Sequence, residues 1–268
     1  MRDLELLALM ARTARGAAAL VTANIAPGQF DTWPSFKAAF DAVDAPASAF
    51  ARETLERACP GVPVVEEIDG AVSAEEAWVI DAIDGAIQYL QGLPQWSVSI
   101  GLIRGGKPAL AALYNPLLGE LYTGAAGGGA FRDGVRVSPS IKTDLTLAFA
   151  GTSQPPFPGR QPSAVAATGQ AMSRLLPKVG VVRNLGPTSW QVADVASGRV
   201  DVFWEFGRDV ANLVAGSLIA AEAGAIVTDA HGSPWTFASR SFVAAAPGLH
   251  AKVIEILADV TMDSREAA

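Results

Sequence analysis

Between residues 62 and 138 the chain carries a succession of short β-like runs, and this succession limits the fold more than any other feature of the sequence. The runs are 63–65, 77–80, 97–104, 108–114, 120–123, 129–132 and 135–138. Asp133-Gly134, between the last two, is a strong hairpin signal. The pattern predicts a largely antiparallel sheet with helices packed on it. Upstream, residues 4–21 and 35–57 read as helices, the second interrupted around Pro46, with a loop over 27–34. Residues 2–15 carry charge throughout and place Leu6, Leu7 and Met10 at helical spacing, which predicts an amphipathic surface helix rather than an export signal.

A Pro- and Gly-rich patch at 154–162 marks the passage to a second half. There strands are predicted at 147–150, 178–183, 200–205 and 225–229. Helices are predicted at 164–175, 188–197 and 210–223, layered against a second sheet. The expected organisation is one domain over 1–268, with an N-terminal α+β half (1–150) and a C-terminal α/β half (151–268).

Composition narrows the function. The 27 acidic and 20 basic residues give a net charge of −7, so neither nucleic acid nor an anionic membrane is an expected partner. An anionic substrate would need a local cation, such as a bound metal, to attract it. The lone Cys59 excludes an intrachain disulfide and fits a reducing compartment, and the cytoplasm is the expected location. With only His231 and His250 in the chain, a His-rich zinc site is not expected.

The segment Trp78-Val-Ile-Asp81-Ala-Ile-Asp84-Gly85-Ala86 carries the chemistry. An apolar strand delivers two carboxylates just before a helix start. Carboxylates at a strand end suit hard cations and can bridge two Mg²⁺ ions, while the amides of Gly85 and Ala86 would face a phosphate. Taken alone, the two acids serve equally well as turn and N-cap residues. Gly124-x-x-Gly127-Gly-Gly129 precedes hairpin residues rather than a helix and reads as a tight turn, not a dinucleotide loop. Ser153 and Ser189 have no nearby His, which argues against a Ser–His–Asp hydrolase.

The segment resembles the first signature of the inositol monophosphatase family, Asp-Pro-(Ile/Leu)-Asp-Gly-(Thr/Ser). Pro94-Gln-Trp-Ser97, Tyr114-Asn-Pro116, Gly127-Gly-Gly-Ala130, Gly186-Pro-Thr188, Asp201-Val-Phe-Trp204-Glu205 and Glu222-Ala-Gly224 come after it in the family's order. The resemblance implies an α/β fold of alternating layers, an αβαβα sandwich as in sugar phosphatases. It also implies Mg²⁺-dependent hydrolysis of a small phosphorylated substrate, and a homodimer.

Carried over residue by residue, it makes Glu66, Asp81 and the Ile83 carbonyl ligands of a first metal, with Glu67 the fallback for Glu66. Asp81 bridges to a second metal held by Asp84. Asp44 orients the attacking water, with a solvated residue between helices its other reading, which places Asp44, Glu66 and Asp81 in the catalytic set. Asp84, Gly85, Ala86, Gly186, Thr188 and Glu205 face the substrate, with a surface ion pair the other reading of Glu205.

The chain departs from the family pattern at three positions. Ala82 replaces a Pro. Ala86 replaces the Thr or Ser that helps activate water. Asn212 stands where the second signature places a metal-binding Asp, so the second site is expected to lose a negative charge. Asp209, three residues earlier, reads as the N-cap of the following helix, the alternative being that it partly substitutes. The alternative to a phosphatase is a weakened or inactive relative that binds a ligand or a protein.

Overall fold

The computed structural model describes residues 3–24, 28–66 and 68–262. Helix α1 (Asp3–Ala23) buries Leu6, Met10, Ala14, Ala17 and Val21, a stripe at three- and four-residue spacing. It is long and apolar enough to cross a membrane by length and composition alone, but here that stripe packs on a sheet. Helix α2 (Trp33–Ala58) opens with a capping box between Thr32 and Ser35 and has a Pro in its first turn. The expected interruption at Pro46 does not occur. Pro46 and Ala42 both face solvent, so the carbonyl deprived of its helical donor meets water instead.

Six strands form the first sheet: β1 (Glu76–Asp84), β2 (Ser97–Arg104), β3 (Lys107–Asn115), β4 (Glu120–Ala125), β5 (Gly129–Arg132) and β6 (Val135–Arg136). They pair antiparallel in chain order, as the sequence predicts. Asp133 and Gly134 turn the last hairpin with φ of 51° and 78°, the left-handed pair a two-residue turn requires. Residues 63–65 form no strand of their own; Val64 makes a single parallel bridge to Trp78. Gly127 and Gly129 donate their amides to the Glu222 carboxylate at 2.7 and 2.9 Å, so the glycine-rich segment is a turn pinned to a helix.

A short helix, α3 (Ala86–Leu90), follows β1, and the second sheet comprises β7 (Phe149–Thr152), β8 (Val181–Arg183), β9 (Val202–Phe206), β10 (Ile226–Thr228) and β11 (Ser241–Ala245). Its order is β10-β11-β9-β7-β8, parallel between β8, β7 and β9 and antiparallel elsewhere. Strand β11 and helix α7 (Pro247–Leu257) lie beyond residue 229, where the sequence patterns assign no element.

Helices α5 (Thr188–Ala196) and α6 (Val210–Ala223) fill the layer between the sheets, while α1 and α2 cover the outer face of the first. Helix α4 (Pro162–Leu175) and α7 cover the outer face of the second. The layers therefore alternate α, β, α, β, α. Helix α6 is apolar nearly all round because, apart from its two ends, it is enclosed between the sheets. It approaches closely where side chains are absent. A Cβ added at Gly101 would meet Val214 at 2.8 Å, and one at Gly216 would meet the Ser189 carbonyl at 2.9 Å.

Candidate active site

Residues three apart on a regular strand point to opposite faces. Asp81 and Asp84 escape this rule through a bulge. Asp81 pairs with Ser99 and Asp84 with Ser97, so three steps on β1 match two on β2. The extra residue returns both carboxylates to the same face. Within the bulge the Ile83 N–H donates to Asp81 Oδ1 at 2.9 Å. The chain then turns through Gly85 at φ 96°, where a Cβ would meet the Gln95 carbonyl at 2.7 Å. Tyr89 anchors α3 by donating its hydroxyl to the Val21 carbonyl and packing edge-on against Trp96. With only five residues, α3 contributes little dipole of its own.

The two acids have different partners. Asp84 is buried and accepts the Ser189 hydroxyl near the start of α5. The N-cap residue of α5, Pro187, provides no capping side chain, and the Ser189 N–H also acts on Asp84. Burial, with the Asp209 charge opposing Ser189's help, lifts the Asp84 carboxyl to about 7. Burial and the neighbouring Asp84 hold the Asp81 carboxyl well above the ordinary range, and Asp44 adds to this from across the cleft. These acids crowd one another at the end of β1.

Asp209, just before α6, belongs to the same crowd. It occupies the N-cap position, as the sequence suggests, and the Asn212 N–H draws on its carboxylate, but no side-chain bond of cap geometry forms. Instead Asp209 Oδ1 accepts the Asn212 side-chain amide at 2.6 Å, while Oδ2 is buried with no hydrogen bond. Burial raises its carboxyl to about 7, with Asp81 adding repulsion and Asn212 and Glu205 offsetting part of it. Glu205 is neither a surface residue nor on the cleft wall. It is 1% exposed on β9 beside the Asp209 carboxyl, and burial and Asp209 push its carboxyl far up, with Thr188 offsetting part of this.

Above this floor opens a cleft of about 1090 Å³ lined by Asp44, Glu66, Asp81, Asp209 and Asn212. Asp44, on α2, accepts from Ser48 at 3.2 Å and is held above the usual carboxylate range by burial. Glu66 lines the cleft with Asp81, but its side chain is 79% exposed and pairs with Arg52 at 2.8 Å. Glu67 lies outside the described residues. Gly186 abuts Gln88 of α3, and Thr188 donates to Ser153 Oγ at 2.8 Å; like Asp84, neither is part of the cleft lining. Ala86 stands at the start of α3 with no hydroxyl to offer. Arg52, Arg160, Arg208 and Arg240 line the cleft as well, Arg52 paired with Glu66 and Arg208 with Asp69, so acids and bases alternate around its wall.

The sequence pattern of the inositol monophosphatase family matches residues 5–262. The chain belongs to that family. An inositol-1-monophosphatase of Mesorhizobium japonicum is 35% identical over 181 residues, 66% of this chain and 67% of its own. A Nus factor SuhB of Pasteurella multocida is 31% identical over 205 residues, 75% of this chain and 76% of its own. The solved inositol monophosphatase of Anabaena superposes with a TM-score of 0.83 at 27% identity, covering 98% of this chain and 100% of that one. Membership in the inositol monophosphatase family and the αβαβα architecture thus agree with the reading from sequence, and family and relatives point to phosphatase chemistry.

The donor set fits a hard divalent cation of the kind the inositol monophosphatase family uses. Asp81, Asp84 and Asp209 offer only oxygen, and the unpartnered Asp209 Oδ2 is a buried polar atom awaiting a partner. Among the described residues no three Asp, Glu, His or Cys side chains stand close enough together to hold a metal ion as placed, so the three carboxylates would have to draw in around it. The sequence patterns give Ser189 no part in the site. Its only signal is its place after Gly186-Pro-Thr188 at a helix start.

Proposed function

We propose that this chain is a Mg²⁺-dependent phosphatase acting on a small phosphate monoester of the polyol, sugar or nucleotide type. The observation that carries the reading is the floor of buried carboxylates, Asp81 and Asp84 foremost, whose mutual repulsion a bound cation would relieve without protonating them. Mg²⁺ held there supplies charge to polarise the phosphate and to acidify water. The chain's own residues do the rest. Asp81 and Asp84 hold the cation from β1, and the bulge fixes both on one face. Ser189 fixes the Asp84 rotamer. Asp44 orients the attacking water from α2.

A second reading, a family member that binds a ligand or protein partner without turnover, draws on two features. Ala86 lacks the hydroxyl, and Glu66 is paired with Arg52. Relatives named Nus factor SuhB give it a further motive. The test is phosphate release from a panel of inositol, sugar and nucleotide monophosphates with Mg²⁺ or with a chelator, using Asp81→Asn as control. Turnover with Mg²⁺ alone, abolished by Asp81→Asn, supports the enzyme. No release from any ester at saturating Mg²⁺ supports the second reading.

A further inference from the structure

We infer that Asp209, rather than Asn212, supplies the third charged ligand of the metal centre, with Asn212 holding it in place. This assignment rests on the divalent-metal reading of the same site.

Geometry distinguishes this role from helix capping. An acid at an N-cap ordinarily accepts an N–H from the first turn, and that bond justifies its presence there. Asp209 makes no side-chain bond of cap geometry, although the Asn212 N–H draws on its carboxylate, so capping alone does not account for the free oxygen. It is 4% exposed, lines the cleft with Asp81 and Asn212, and leaves Oδ2 buried without a hydrogen bond. A buried, half-satisfied carboxylate is costly unless something else engages it. Within its electrostatic reach lie Asp81 and Asp84, and the buried Glu205 carboxyl adjoins it as well, three further acids. Like charges gather at such a place when a cation joins them.

Asn212 has the geometry of a supporting partner. Its amide nitrogen donates to Asp209 Oδ1 at 2.6 Å, which fixes one oxygen and leaves the other for a ligand. Residues three apart share a helix face, so moving the acid from 212 to 209 displaces the carboxylate by less than a turn. The centre therefore keeps the negative charge that Asn212 alone would remove.

An exchange experiment tests this with calorimetric titration of Mg²⁺ into metal-free protein, independent of activity. Asp209→Asn should weaken Mg²⁺ binding at least tenfold. Asp209→Ser, which keeps a capping hydroxyl without charge, should weaken it equally. The double variant Asp209→Asn with Asn212→Asp, which returns the acid to position 212, should recover affinity to within a few-fold of the parent. A residue acting only as a cap would be rescued by Ser and not by the exchange. Circular dichroism melts confirm that each variant is folded before titration. If Asp209→Asn and Asp209→Ser bind as the parent does while Asp81→Asn does not, Asp209 is no ligand and the metal centre stands without it. If the parent binds no Mg²⁺, or Asp81→Asn binds as well as the parent, the metal reading itself fails and this inference with it.

Discussion

Replacing Asp84 with Asn should make the metal-free protein more stable and the metal-loaded protein less so. In the absence of a cation Asp84 is buried beside other acids, and its carboxyl is lifted to about 7. Against about 3.9 in an unfolded chain, this corresponds to roughly 4 kcal/mol of native-state destabilisation once the group is ionised. Because the native state takes up this proton more readily than the unfolded chain, its stabilising contribution is complete below about pH 4. It is lost as pH rises through about 7. Asn keeps the shape and an acceptor for the Ser189 hydroxyl, and it cannot ionise. At pH 7.5 without metal, Asp84→Asn should therefore melt about 10 °C above the parent, taking roughly 2–4 °C per kcal/mol for a chain of this size. At pH 4 the two should coincide. With Mg²⁺ at about a hundred times its dissociation constant the parent should gain roughly 2.7 kcal/mol, and the variant little. Thermal melts at pH 4 and 7.5, with chelator and with Mg²⁺, give all four values. Equal stability of the two proteins at pH 7.5 in chelator, or the same Mg²⁺ shift in both, would refute the reasoning.

Ala86→Thr restores a hydroxyl at the start of α3 and should raise kcat about tenfold, roughly 1.4 kcal/mol of barrier, with KM little changed; initial-rate kinetics decide. Gly85→Ala forces a side chain onto φ 96° and toward the Gln95 carbonyl, and should cost roughly 1–3 kcal/mol in urea unfolding. Asp194, buried between Tyr122 and Arg199, is raised to about 6 mainly by burial. Its contribution is present below about pH 4 and lost as pH rises through 6. Asp194→Asn should therefore be more stable than the parent at pH 7.5 and lose that advantage at pH 4, as read from melts at both pH values.

Much of the fold was legible because its signals are local. Strands β2 and β5 and helix α6 have the bounds their sequence patterns predict, since apolar runs and turn residues mark both ends. Pro46 misled because a proline's effect depends on whether the freed carbonyl meets water, which a sequence does not display. The Asp81–Asp84 pair was legible as an acid pair at a strand end. The bulge that puts both acids on one face was not, because register depends on β2. Glu66 followed the family's order, but its pairing with Arg52 was hidden, since it lies in a loop whose path the pattern leaves open. Asp209 was weighed against a cap because its burial comes from the packing of β9, α6 and the loop before α6. Local sequence carries no trace of that packing.

The most direct measurement is the anomalous difference density of crystals equilibrated with Mn²⁺, collected at the manganese edge. A peak is expected among Asp81, Asp84 and Asp209 on the cleft floor, with Asp209 Oδ2 turned to it and Asn212 still donating to Oδ1. A saturated crystal with no peak among these three carboxylates, or with the metal seated elsewhere and Asp209 Oδ2 left unpartnered, would contradict a metal centre built on them.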